Sequence, residues 1–240
     1  MPRELSRTGA IDRAAAALRD TAPAFTAKNL HFELRRAGAS SGYEGFVAGP
    51  LARRLRQGPI EGLLPLRRSR DRAVELPGEY RAYFPAAVLV VDRRDLVELA
   101  VAAGLPVQGR IAVVSLDGFP ATVVRWLRRG WQDGHAAPVG FLHDADTVVY
   151  PFAFEPLATF ARARAPGSYV DLGLPPGGLD WKELPFVGFE PAPGARVRSL
   201  EEPRPASILA YAARRLGSLA APDPWLRPLA RQGRSPKEAR

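Results

Sequence analysis

Three short, unbroken apolar runs separated by helix-like stretches dominate the middle of the chain. Ala87–Val91 ends at Asp92 and is followed by an amphipathic stretch from Leu96 to Ala103. Arg110–Ser115 is the second run, and it ends in Leu116-Asp117-Gly118-Phe119-Pro120. Ala121 to Arg129 then reads as a helix, with Val124 and Leu127 on its apolar side. Pro138–Leu142 is the third run, ending at His143-Asp144-Ala145-Asp146. Strand–helix–strand–helix–strand at this spacing predicts an α/β domain, a parallel sheet with helices packed against it. Tyr169–Leu174 reads as a further strand, Pro175–Gly178 as a turn, and Pro205–Leu219 as a final helix.

Upstream the pattern is helical. Ile11 to Leu18 is alanine-rich, and Thr21–Pro23 breaks it. Thr26 is positioned to N-cap a second helix, Ala27 to Ala37, which Gly38 would end in a left-handed cap. Leu30 and Leu34 share one face, while Lys28, Arg35 and Arg36 fall mostly elsewhere. A helix pair with a basic second member is compatible with a helix-turn-helix or winged-helix unit, although such pairs are common in proteins that bind no nucleic acid. Residues 38–86 are rich in Gly, Pro and Arg and read as a wing or strand pair followed by a linker. The predicted organisation is therefore a small helical, winged-helix-like unit with a basic linker over 1–80 and an α/β domain over 81–220. Residues 221–240 read as a mobile tail.

Composition narrows the chemistry. The 240 residues contain no cysteine, which excludes disulfides, thiol catalysis and cysteine-ligated metal centres. Only His31, His135 and His143 are histidine, so a multi-histidine metal site is not expected. His31 is expected on the surface and His143 as a packed strand residue. With 46% hydrophobic and 25% charged residues, and no run of about 18 apolar residues or leading signal pattern, the chain reads as soluble and cytoplasmic.

The formal charge is +9, and of 34 basic residues only Lys28, Lys182 and Lys237 are lysine. Arginine's planar fork suits phosphate, though a compositional bias of the coding sequence explains the ratio equally well. Residues 1–80 carry a net +5, 81–160 a net −1, and 161–240 a net +5. A central segment poor in positive charge between two basic ones suits an acidic, metal-binding centre flanked by phosphate-binding surfaces.

Ligand grooves of parallel sheets lie beyond the carboxyl ends of the strands. Asp92, Asp117, Asp144 and Asp146 all fall just past strand ends. Carboxylates gathered at one edge repel unless a cation or protons intervene, and oxygen ligands of this kind suit Mg²⁺ or Mn²⁺. Each aspartate could equally be a turn former or helix cap. Asp144 and Asp146, two apart in an extended segment, point the same way.

These residues, in this order, resemble a Toprim domain, and most closely the A subunit of topoisomerase VI and its meiotic double-strand-break relatives. The resemblance covers about two thirds of the chain. Asp92 stands where the family has its first acid, Asp117-Gly118-Phe119-Pro120 matches a Gly-aromatic-Pro turn, and Asp144-Ala145-Asp146 matches an Asp-x-Asp pair. Val170–Leu174 is similar to the family's Leu-Gly-Leu segment, and Thr26–Phe32 to the winged-helix segment bearing the nucleophilic tyrosine. The resemblance implies a magnesium site at Asp92, Asp144 and Asp146 beside the turn at Asp117 and Gly118. It implies DNA as partner, held by Lys28, Arg35, Arg36, Arg125, Arg128 and Arg129, and a homodimer or an ATPase partner subunit.

Three departures bear on activity. Phe32 occupies the tyrosine position and cannot attack a phosphodiester. Asp92 is one methylene shorter than the family's usual Glu. Thr147-Val148-Val149 follows the acidic pair where a glycine is usual. Tyr43 offers another hydroxyl, with no local pattern that puts it in the site. The sequence thus supports a DNA-binding Toprim-like protein without transesterification, serving as a structural or regulatory factor. A Mg-dependent nuclease using Asp92, Asp144 and Asp146 is the alternative, and a haloacid-dehalogenase-like phosphatase built on Asp144 and Asp146 is a third reading.

Overall fold

The alanine-rich stretch near the start of the chain and the Thr26-capped segment after it form two packed helices. The computed structural model describes residues 7–39, 41–66, 87–108, 111–115, 137–145, 169–184 and 194–217. Helix α1 (Arg7–Arg19) turns Ile11, Ala14, Ala15 and Leu18 inward, a helical spacing that makes one apolar stripe. Helix α2 (Ala27–Arg36) sets Leu30 and Leu34 against them, with Phe25 filling the centre. Thr26 caps α2 reciprocally. Its Oγ1 accepts from the Asn29 N–H at 3.1 Å, and its own N–H donates to Asn29 Oδ1 at 3.0 Å, which satisfies two otherwise orphaned donors. Gly38, at φ 91°, supplies the left-handed stop.

Residues 43–55 correct the expectation of a wing, strand pair or linker. They are helical: α3 (Tyr43–Phe46) runs through a π-helical turn, Val47–Leu51, into α4 (Ala52–Leu55). Gly45, Gly49 and Pro50 disfavour a helix by propensity, but Phe46 and Leu51 are completely buried in the helical core. Such burial stabilises by about 1.5–3 kcal/mol per side chain, more than the propensity penalty of a glycine. The π register falls where Pro50 lacks an N–H and would crowd the carbonyl four residues earlier. Phe25 then pairs with Leu63 in a single parallel bridge, and Leu64 donates to the Phe25 carbonyl at 2.9 Å. Among the described residues of this unit no antiparallel pair is present, and residues 67–86 lie outside the description.

The second unit is α/β. β1 (Ala87–Val91) is buried along its whole length, as a continuous Val/Leu run requires when both faces are covered. It is followed by α5 (Arg94–Ala102) and α6 (Leu105–Gln108), which lead into β2 (Ile111–Ser115). β3 (Val139–Leu142) and β4 (Tyr169–Asp171) complete a four-stranded, all-parallel sheet of order β2-β1-β3-β4. A two-stranded antiparallel ribbon, β5 (Leu179–Asp180) with β6 (Arg196–Val197), precedes helix α7 (Pro205–Gly217). Leu96, Leu99 and Ala100 of α5 and Ile208, Ala212 and Leu216 of α7 close one core with the strands. Trp181 packs against its edge.

Gly140 on β3 makes the α7 contact possible. A methyl group there would stand 2.6 Å from Leu172 Cδ1 and 2.6 Å from Leu216 Cδ2, inside van der Waals contact. Regular strand geometry ends at Asp171, short of the predicted 169–174, although Leu172 and Leu174 still donate backbone bonds to the Phe141 and His143 carbonyls, at 2.7 and 2.9 Å, while their side chains enter the core. The predicted helix Ala121–Arg129 and the tail 221–240 lie outside the described residues. No helix among the described residues is long and apolar enough to cross a membrane.

Candidate functional site

From β1 the chain lays β2 on one side, and β3 is added on the other, so the order of strands reverses between β1 and β3. In open parallel sheets a crevice forms beyond the strand ends at such a point. Asp92 leaves β1 there, and Asp144 lies two residues past the end of β3. The structure brings these two together: the Asp144 N–H donates to Asp92 Oδ2 at 3.0 Å, and the Asp92 N–H donates to the Leu142 carbonyl at 3.2 Å.

The segment before α7 folds over this pair. Leu200 N–H donates to Asp144 Oδ1 at 2.6 Å and Ser199 Oγ to Asp144 Oδ2 at 3.4 Å. That segment also delivers Glu201, whose side chain has no exposed surface. Arg93, the first residue after Asp92, reaches into the middle. Its Nη1 lies 3.0 Å from Asp144 Oδ2, its Nη2 2.5 Å from Glu201 Oε2, and its Nε 3.9 Å from Asp92 Oδ1 and 3.8 Å from Asp95 Oδ1. Lys28, from α2, adds a second cation at 3.4 Å from Glu201 Oε2 and 3.8 Å from Asp144 Oδ2.

The electrostatics follow from this packing. Burial alone would lower the Arg93 pKa, but the carboxylates of Glu201, Asp144, Asp92 and Asp95 outweigh it and hold the guanidinium above its ordinary value. Burial pushes the Glu201 carboxyl up, opposed by Arg93, Lys28 and the Thr26 hydroxyl, which donates to Glu201 Oε1 at 2.5 Å. Asn29 Nδ2 donates to the Glu201 carbonyl at 2.9 Å, and Arg204 Nη2 to Glu33 Oε1 at 2.8 Å. The helical unit and the sheet unit are thus joined through one buried polar network.

His143 flanks the network. Its Nδ1 lies 2.7 Å from the Asp144 carbonyl and its Nε2 3.0 Å from Asp171 Oδ1. Both partners only accept when Asp171 is ionised, so the imidazolium form, with two N–H donors, satisfies both. Burial opposes that charge, but the Asp171 carboxylate and the Asp144 carbonyl raise the imidazole pKa above its ordinary value. Gly173 leaves the ring its space, since a Cβ there would fall 2.0 Å from His143 Nε2.

The other predicted residues divide as follows. Asp117, Gly118, Arg125, Arg128, Arg129 and Asp146 lie outside the described residues. Lys28 faces the acids of the rim. Arg36 is engaged by the Glu33 carboxylate and the Glu202 carbonyl, whereas Arg35 is exposed. Phe32 is half-buried and follows Lys28 by one helical turn on the same face of α2. His31, expected at the surface, is 5% exposed; its Nε2 lies 2.8 Å from the Ser41 carbonyl and its ring packs on Phe46 and Tyr43. Tyr43, the other hydroxyl considered, is half-buried beside the His31 ring. Burial, with the charges of Glu201, Asp95 and Glu44, pushes its phenol up to about 12.

Mg²⁺ takes about six oxygens in near-octahedral array. Here both Asp144 oxygens are engaged by backbone, hydroxyl and cationic donors, and two organic cations already stand among the acids. Among the described residues no group of three or more His, Asp or Glu side chains is disposed to hold a metal ion. Asp146, the third predicted ligand, lies outside the described residues; of the described pair, Asp144 is met by Arg93 and Lys28, and Asp92 by Arg93.

Sequence reasoning missed Arg93 and Glu201. Arg93 had a signal, a basic residue directly after a strand-end acid. Glu201 had a weaker one, an acidic pair shortly before a helix N-terminus, where negative charge is favoured. No protein-family model matches the chain, and no curated protein and no solved structure is significantly similar to it.

Proposed function

We propose that this chain is a Toprim-like, DNA-binding protein without transesterification or metal chemistry, in which the acidic rim has become a structural clasp. The observation that carries this reading is the Arg93 guanidinium, lodged between Asp144 and Glu201 where a catalytic cation would be needed. Phe32 supports it from the side of the nucleophile, and the raised Tyr43 phenol is harder to ionise as a replacement. The basic composition, net +9, supports a polyanionic partner. On this reading α1 and α2 are the winged-helix-like element. A homodimer or an ATPase partner subunit follows from the resemblance alone.

The test combines duplex-DNA binding with metal calorimetry and plasmid nicking in Mg²⁺ or Mn²⁺. Salt-sensitive DNA binding, no metal-binding heat and no nicking are the expected results. Nicking that disappears in Asp144→Ala would establish the second reading, a metal-dependent nuclease, which the placing of Asp92 and Asp144 just past the ends of adjacent strands β1 and β3 favours. Release of phosphate from small phosphomonoesters would instead indicate the phosphatase.

A further inference from the structure

The helical unit is rich in arginine, but its arginines are not equivalent. Arg19 pairs with Glu61, Arg36 with Glu33 and Arg54 with Asp12, while Lys28 is committed to the rim. Arg13 on α1, and Arg53 and Arg56 on and just after α4, are exposed and have no ionic or hydrogen-bonding partner among the described residues. The Arg54–Asp12 pair, Nε to Oδ1 at 2.7 Å, holds α4 beside α1. Arg53 and Arg56, three apart, share one face of the α4 turn, and the ion pair sets that turn beside the stretch of α1 that carries Arg13. Arg54 itself also donates to the Gly58 carbonyl at 3.0 Å and is held in place. The two helices joined by this ion pair thus carry three exposed, uncommitted guanidinium groups.

We infer that this α1–α4 edge, rather than the exposed face of α2, is the surface that receives the phosphate backbone of duplex DNA. The inference rests on the DNA-binding reading and gives it a location. Charge complementarity selects a polyanion, and guanidinium forks suit phosphate oxygens spaced along a backbone. An anionic membrane is the poorer fit. Membrane-surface binding wants large apolar side chains beside the cations, and the large hydrophobics exposed among the described residues, Leu66 and Val101, lie on neither α1 nor α4.

The experiment titrates the full-length chain into a fluorescently labelled duplex at several salt concentrations and follows anisotropy. The test variant is Arg13→Gln/Arg53→Gln/Arg56→Gln. The control, Arg198→Gln/Arg214→Gln/Arg215→Gln, removes the same charge from the sheet unit, and circular dichroism checks the fold of both. Each phosphate contact contributes about 0.9 to the slope of log K against log salt. The test variant is expected to bind on the order of tenfold or more weakly, with a slope flatter by about 2–3, and the control to stay within about threefold of wild type. Equal weakening of both variants would reduce the effect to net charge and overturn the surface while leaving DNA binding standing. So would a test variant that binds like wild type. A wild-type chain that binds no duplex, or binds only vesicles containing phosphatidylserine, would overturn the surface and the DNA-binding reading together.

Discussion

Arg93 and Glu201 lie 108 positions apart in the chain, yet Nη2 of the first stands 2.5 Å from Oε2 of the second, at a carboxylate with no exposed surface. Arg93 has only 28% of its side chain exposed. Removing one partner of so buried a pair strands the other charge, at about 3–5 kcal/mol. Arg93→Ala should therefore lower the urea midpoint steeply, whereas replacing both residues with methionine should recover much of the loss. A double-mutant cycle in urea reads this directly; a coupling near zero would mean the pair does not hold the fold.

The clasp from the other side is the Thr26 cap. Thr26→Ala removes the acceptor for the Asn29 N–H and a donor to Glu201 Oε1. Loss of a cap costs about 1 kcal/mol, and an unsatisfied buried acceptor about 1–3 more. Amide exchange should accelerate in the first turn of α2 and in residues 199–203 together. Acceleration in α2 alone would show that the Thr26–Glu201 bond contributes little.

These two residues also mark what was legible in the sequence. The Thr26 cap, the Gly38 stop, the strands after which Asp92 and Asp144 fall, and the parallel sheet follow from local rules: capping chemistry, φ preference and unbroken apolar runs. The α3–α4 segment does not, because Gly45, Gly49 and Pro50 argue against the helix that burial of Phe46 and Leu51 imposes. Nor does the cation at the rim. The sequence places Asp92 and Asp144 at one sheet edge, but which positive charge meets them depends on the 199–203 segment folding back over the strand ends. That is a tertiary event with no local pattern, and the same repulsion that suggests magnesium is relieved equally well by Arg93.

Gly140 offers a test of the packing beneath the rim. Gly140→Ala drives a methyl into Leu172 and Leu216, and overpacking of this kind costs about 1–3 kcal/mol. The expected outcome is a lower melting temperature, partly restored by Leu216→Val, which makes room from the α7 side. A Gly140→Ala variant as stable as wild type would mean that α7 can shift off β3 at no cost.

The His143–Asp171 pair gives stability a pH dependence with a defined sign. The His143 pKa is raised above 6.5, so its contribution is complete below that value and disappears as pH rises through the folded pKa. Burial opposes ionisation of Asp171, but the His143 imidazolium and the Gly173 N–H outweigh it and lower its pKa below 3.8. Its contribution is complete above that value and is lost as pH falls through the folded pKa. The pair therefore stabilises most between 3.8 and 6.5. Asp171 is half exposed, so screening limits the gain to about 1 kcal/mol or less. Urea midpoints compared between wild type and Asp171→Asn should differ most near pH 5 and converge as pH rises past the raised folded pKa of His143, where the imidazole loses its charge. A gap that persists undiminished at high pH would assign the interaction to the Asp171–Gly173 backbone hydrogen bond, 2.8 Å long, and not to the imidazolium.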